Sequence, residues 1–418
     1  MRRAPLFALL LCAGLAHAGP SAPLGATLDG LLAHAREHNP ELAAMRFEAG
    51  AASERGESAG ALPDPKFRTE LRDLTRMGSQ EATLSPSRVG STRYLLMQDI
   101  PWFGKRGLKR EIAELEAQGS EGKARATWSE LAARIKAAHA RLYFLTRNEA
   151  LAREVLDLLA RLEKIALERY AVGRSSQPDV LKAQVEQTGL HSELLALDAE
   201  RRALQTRLNL WLNRPADAEL APPQTLRPLP APARLDFAML AERLRAGNAQ
   251  LFAENARLKA AEKNRDLVAK NRYPDFTVGF SPIQYRNAVR EWELMVEINI
   301  PLQQGSRRAQ EREAEAMVSA AESRRQASAN QLLADLAEQL AGLEASRQTL
   351  QLTRSKLLPQ ADINQRAVLA AYENGRADFA TLLEAERQIR QARQTQLKAE
   401  FEAQLRLAEI ERLLGEAL

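Results

Sequence analysis

Two histidines one helical turn apart, His34 and His38, come nearest to chemistry by type and spacing in this 418-residue chain. At i, i+4 on a helix they would turn two imidazoles to one side, half of a tetrahedral site for a divalent metal. The neighbouring sequence does not supply the other half, because no HExxH context, cysteine or paired carboxylate stands at ligand spacing. Solvated histidines are the favoured reading, and His139 and His191 likewise stand without partners on helical tracts. No glycine loop of the phosphate-cradling kind occurs. The residues therefore call for no catalytic group, no metal and no cofactor, and function must be sought in architecture.

The N-terminus carries Arg2 and Arg3, an apolar run from Leu6 to Leu15, and Ala16-His17-Ala18 before Gly19, the pattern of a cleaved signal peptide over 1–18. Cys12, the single cysteine, lies in that run. Its lipidation is the competing fate, but that needs a small residue just before it, and Leu11 stands there. Cleavage leaves a mature chain without disulfides, held by packing alone. No other tract offers ~20 consecutive apolar residues, so no transmembrane helix is expected. Aromatics are only 5%, Ala, Leu, Glu, Arg and Gln dominate long stretches, and the net charge of +5 is interspersed. That composition points to long helices and coiled coils, with no stripe for nucleic acid.

The chain repeats itself. Tyr170, Gly173, Arg174, Leu181 and Ala183 recur 202 residues later as Tyr372, Gly375, Arg376, Leu383 and Ala385. Ile100-Pro101 recurs as Ile300-Pro301, and Asn39 and Phe67 have counterparts in Asn248 and Phe276. Two structural repeats follow, over 19–214 and 235–418, joined by a linker at 215–234 that has six prolines between Pro215 and Pro232.

Proline also measures the helices, since inside one it removes a hydrogen bond and clashes with the preceding turn. None occurs between Pro101 and Pro178, so Lys105 to Val172 would make a helix of about 100 Å. Arg307 to Tyr372 repeats it, with a kink expected at Pro359. Shorter helical tracts run over Leu32–Leu62, Val180–Asn213, Phe237–Tyr273 and Leu382–Leu414, each roughly 45–60 Å, so two end to end match one long helix. Between the helices lie four strand signals. In the clearest, Trp292, Leu294, Val296 and Ile298 alternate with Glu291, Glu293, Glu297 and Asn299. Phe276 to Phe280, Lys66 to Arg72 and Thr92 to Ile100 alternate similarly, giving two hairpins. A membrane barrel whose lipid face holds Trp292, Leu294, Val296 and Ile298, or a soluble two-layer sheet with one wet face, would both produce this pattern. A barrel of four strands cannot close around a lumen, so several copies would have to share one.

This order of elements resembles the TolC-like outer-membrane efflux channels over the whole mature chain. The most specific wording is Arg169-Tyr170-x-x-Gly173 followed by Asp179-Val180-Leu181-x-Ala183-Gln184, echoed by Ala371-Tyr372-x-x-Gly375 and Leu383-x-Ala385. Gln98 to Arg106 and Pro63-Asp64-Pro65 are similar to the heavy-metal, cation-exporting branch. The resemblance implies a mainly α fold with a membrane β-barrel: a homotrimer in which each chain gives four strands to a twelve-stranded barrel in outer-membrane lipid and its helices to a long coiled-coil periplasmic bundle. It implies a passive duct for an inner-membrane RND-type pump, reached through a periplasmic membrane-fusion adaptor docked at the tip turns holding Tyr170, Gly173, Tyr372 and Gly375. Those glycines also read as plain helix C-caps. Family channels often place an acid at the aperture. Asp179 matches this, but its counterpart is Thr381, so Glu384 one turn on supplies the charge or is merely a solvated surface residue. A conduit for drugs or secreted proteins shares the architecture, and a barrel-less periplasmic coiled-coil adaptor would explain the helices but not the paired hairpins.

Overall fold

A computed structural model describes residues 24–172 and 176–418. The signal peptide at 1–18, Cys12 and Gly173 lie outside the described residues.

The chain runs α1 (Leu28–His38), α2 (Pro40–Ala59), β1 (Lys66–Arg72), β2 (Ser91–Ile100), α3 (Lys105–Ala171) and α4 (Gln177–Trp211). After an extended tract and a 3-10 turn at Pro232–Leu235 come α5 (Phe237–Gly247), α6 (Ala249–Lys270), β3 (Asp275–Tyr285), β4 (Ala288–Asn299), α7 (Gln304–Leu352), α8 (Leu358–Glu373) and α9 (Phe379–Leu414). The 67 residues of α3 span about 100 Å. Along it, α2 and α6 flank the end near the sheet, where Gly56 meets Glu114 and Gly122 meets Ala253. Towards the other end lie α4 and α9, with Leu159, Leu162, Ala183, Leu190 and Leu382 in one buried cluster.

Two tracts expected as single helices are each broken. Asn39 ends α1 and caps α2, accepting the Leu42 N–H at 2.9 Å, and Pro40 takes the first helical position, where its missing N–H is harmless. Asn248 does the same between α5 and α6, accepting the Leu251 N–H at 2.9 Å. Each amide also donates to the end of a distant helix, Asn39 to the Trp211 carbonyl at 2.9 Å and Asn248 to the Leu413 carbonyl at 2.8 Å. A break in the ladder is thus stable because one residue closes the preceding helix through its backbone N–H while its side chain caps the next helix and satisfies the end of a third. Near Pro359 the long helix passes through a π turn at Thr353–Leu357, where the ladder widens just before a residue that cannot donate to it.

The four strands form one antiparallel sheet in the order β1-β2-β3-β4. Its two outer strands, β1 and β4, have no partner on their free sides among the described residues.

Candidate membrane sheet and bundle tip

The register separates the sheet into two faces. Phe67 lies opposite Leu96, Phe280 opposite both Leu96 and Leu294, and Val278 opposite Val296, so these side chains share a face with Trp292 and Ile298. That face is open: Trp292 is 64% exposed and Leu294 74%. Phe280 stacks on Trp292 with ring centres 5.1 Å apart. The other face is polar and linked across strands. Arg93 reaches Glu293 at 2.7 Å and Ser281 at 2.9 Å, and Asp99 accepts from Lys66 at 2.6 Å and Thr277 at 2.7 Å. Leu95, Met97 and Ile283 on this polar side are buried. An exposed, predominantly apolar outer face with two open edges is unstable in water, whereas hydrocarbon on that face and neighbouring strands at the edges satisfy both.

The far end of the bundle is built from two helix turns. At the second, the helix closes on Gly375 at φ +71, with the Arg376 N–H donating to Ala371 O at 2.8 Å and the Gly375 N–H to Tyr372 O at 3.0 Å. This is the Schellman arrangement, which needs a left-handed residue. Arg169, from the other repeat, lies over the Tyr372 ring 4.5 Å from its centre and donates to the Tyr372 and Glu373 carbonyls, both at 3.0 Å. The two tips are therefore clamped together, a contact that sequence reading passed over. Tyr372 is buried edge-on to Phe379, and burial pushes its hydroxyl pKa up. Its counterpart Tyr170 is 47% exposed, so the repeated tyrosines occupy unlike environments.

The acid that changes place between repeats has a local explanation. In the first, Ser176 begins α4 and Asp179 closes its capping box. In the second, Asp378 begins α9 and accepts the Thr381 N–H at 2.8 Å. Acid and hydroxyl have exchanged positions within one capping device. Asp378, held below the usual carboxylate range by Thr381, puts the second repeat's acid at the N-cap and not in the first turn. Glu384 is exposed and touches Gln388 at 3.2 Å.

The histidines do not assemble a metal site. His34 and His38 stack with ring centres 4.2 Å apart, and each commits a ring nitrogen to a backbone carbonyl, Leu212 and His34 respectively. Among the described residues there is no group of three metal-ligating side chains. His139 is buried with Nε2 unpartnered, and burial, reinforced by the Arg227 charge, pushes its pKa down to about 4. Since the unfolded chain protonates nearer 6.5, it binds more protons below that pH, and stability is lost as pH falls from 6.5 towards 4. The loss should reach about 2 kcal/mol by pH 5. His139→Leu is expected to flatten this part of the stability-pH curve, read by denaturant titration of helical circular dichroism, and an unchanged slope would contradict the assignment.

The chain is similar to known proteins in sequence and in fold. The profile described as outer membrane efflux protein matches residues 31–214 and 240–416, on either side of the proline-rich tract. The cobalt-zinc-cadmium resistance protein CzcC of Cupriavidus metallidurans is 27% identical over 402 residues, covering 93% of this chain and 90% of that protein. Among solved structures, the outer membrane protein VceC of Vibrio cholerae superposes with a TM-score of 0.78 at 18% identity, covering 93% of this chain and 96% of that one. The outer-membrane channel OprN gives 0.79 at 19% identity, covering 93% and 90%. At such identities these structures speak to the fold.

Proposed function

The chain belongs to the outer membrane efflux protein family, and on that premise we propose that three copies form the passive exit duct of a tripartite pump for heavy-metal cations. The observation that carries this is the sheet: four strands, one face apolar and exposed, and two free edges. Three copies joined edge to edge close a twelve-stranded barrel, large enough for the polar face to line water. The helices then continue that lumen through the periplasm. The duct is not an enzyme and supplies no energy, so an inner-membrane pump of the RND type, joined through a periplasmic membrane-fusion adaptor, must drive export.

We assign the adaptor contact to the tip around Tyr170, Gly173, Tyr372 and Gly375. The groove beside it between α4 and α9, lined by Pro178, Leu181, Val185 and Ala380, supports that reading, with Leu181 and Val185 exposed. Asp179, Asp378 and Glu384, with Thr381, are assigned to the aperture, where acids favour cations through a weak, salt-screened field. Gly375→Val puts a β-branched side chain at φ +71, in otherwise open space, so the cost is backbone strain of about 1–2 kcal/mol confined to the tip. Efflux is expected to fall while the barrel still assembles. Full efflux would reduce the turn to a connector.

Metal cargo rests on the likeness to a cobalt-zinc-cadmium resistance protein. Deleting the chain should make cells sensitive to divalent cations. Complementation with His34→Ala, His38→Ala, His139→Ala or His191→Ala should restore resistance, because selectivity then lies in the pump. Sensitivity confined to apolar drugs would assign the duct to a different pump, and failure of a histidine variant that assembles normally would show metal handling within the channel.

A further inference from the structure

We propose that the cationic surface immediately beneath the barrel is a docking site for the anionic phospholipid headgroups of the leaflet facing the periplasm. The level of the membrane boundary can be read from the two strand-to-helix junctions. At the first, Trp102 stacks on Tyr273 with ring centres 5.1 Å apart and on Phe276 at 5.7 Å. Phe103 beside it is 78% exposed, and Leu302 at the second junction 81%. These side chains continue the apolar outer face of the sheet to the very start of α3 and α7. Amphipathic rings collected at one height, next to a lipid-facing band, mark the interface between hydrocarbon and headgroups.

The next turns of both helices are basic. From Lys105 to Arg110, α3 carries four cations and no acid, and α7 begins without an acid in its first turn. Some of these charges serve the protein itself. Lys105 is buried against Asp275 at 2.8 Å, and Arg106 donates to the Gly60 carbonyl at 2.9 Å, stitching the junction to β3 and to the end of α2. That accounts for part of the Gln98-to-Arg106 wording. Lys109 and Arg308 are different: both are exposed and neither makes a hydrogen bond or ion pair among the described residues, although the Lys109 charge acts at longer range on Asp275. They sit nine residues beyond the last residues of β2 and β4, Ile100 and Asn299. Their side chains are long enough to lay their methylenes along the apolar belt and raise their charge to the phosphates. Exposed cations one turn past a lipid-facing belt, free of direct ion pairs, complement anionic headgroups, at about a fivefold gain in occupancy for each cation engaged.

The proposal depends on the outer-membrane location and not on cargo or pump. To test it, the full chain is extracted in mild detergent from vesicles of equimolar phosphatidylethanolamine and phosphatidylglycerol, and the retained lipids are quantified by mass spectrometry. Severalfold enrichment of phosphatidylglycerol is expected, falling towards the bulk ratio in Lys109→Gln/Arg308→Gln. Arg324→Gln/Arg325→Gln, on α7 about 24 Å further from the barrel than Arg308, should retain it. Enrichment should also fade in wild type as salt rises to about 0.5 M, a readout that stands even if the double variant fails to assemble. Equal retention of the two lipids, enrichment indifferent to salt, or enrichment unaltered by loss of both cations would overturn the proposal. So would its loss to inorganic phosphate at matched ionic strength, which would indicate a site for the free anion.

Discussion

Lysine at Leu294 or Val296 is expected to cost about 2–4 kcal/mol of barrel stability, and aspartate at the same positions somewhat less. Both positions lie near the middle of β4, on the exposed apolar face, where a charge would enter hydrocarbon with no partner in reach. The control is Glu297→Lys on the opposite face, where Glu297 makes no ion pair among the described residues and water can solvate either sign. Glu293 is unsuitable, because Arg93 sits 2.7 Å from it and reversal would leave two cations together. Urea titration in lipid vesicles, followed by tryptophan emission, gives the comparison. Equal losses at Leu294 and Glu297 would contradict the assignment of the two faces.

The second large effect is expected at Glu411, far from the sheet. Its buried carboxylate meets Lys136 of α3 at 2.8 Å and Arg227 of the linker at 2.6 Å, and accepts the Leu418 N–H at 3.0 Å. Gln404 adds a second tie, accepting from Arg227 at 3.0 Å and donating to its carbonyl at 2.7 Å. One acid thus fastens the linker, the long helix and the C-terminus together. Glu411→Ala removes the charge and leaves both cations underpaired in a nearly closed site, which typically costs about 3–5 kcal/mol. Replacing all three together, Glu411→Leu with Lys136→Met and Arg227→Leu, should cost far less, since no orphaned charge remains. If the single and triple changes cost the same, the loss reflects packing and not unpaired charge. Burial alone would raise the Glu411 pKa, but Arg227 and Lys136 outweigh it and hold the group below its ordinary range. The unfolded chain takes up this proton first, so the network's stabilisation is complete above the normal carboxylate range and disappears as pH falls through the lowered value.

Much of this was legible in the sequence for physical reasons that act over short distances. Alternation from Glu291 to Asn299 has the period of a strand, and its apolar members are the ones that lie exposed on a common face. The absence of proline from 102 to 177 permitted a helix of 67 residues, and one formed. The breaks at Asn39 and Asn248 were missed because their stability comes from carbonyls 172 and 165 residues away, while local helical periodicity continues across them. Arg169 was legible only as the first residue of the tip wording. Its partners, the Tyr372 and Glu373 carbonyls, are 203 and 204 residues distant. Glu411 was hidden in the same way among many helical glutamates. The displaced acid of the second repeat could have been found, because the Ser-x-x-Asp pattern of 176–179 reappears as Asp-x-x-Thr at 378–381, a reversal that keeps both ends of the cap.

The central claim is that the sheet is complete only when copies share it, and the mass of the particle tests it most directly. Native mass spectrometry of the protein extracted from outer membranes is predicted to give three mature chains in one detergent-stable particle, with dissociation accompanied by loss of β-structure. A detergent-stable single chain that keeps its four strands folded, or recovery of the protein in the soluble periplasmic fraction, would contradict it.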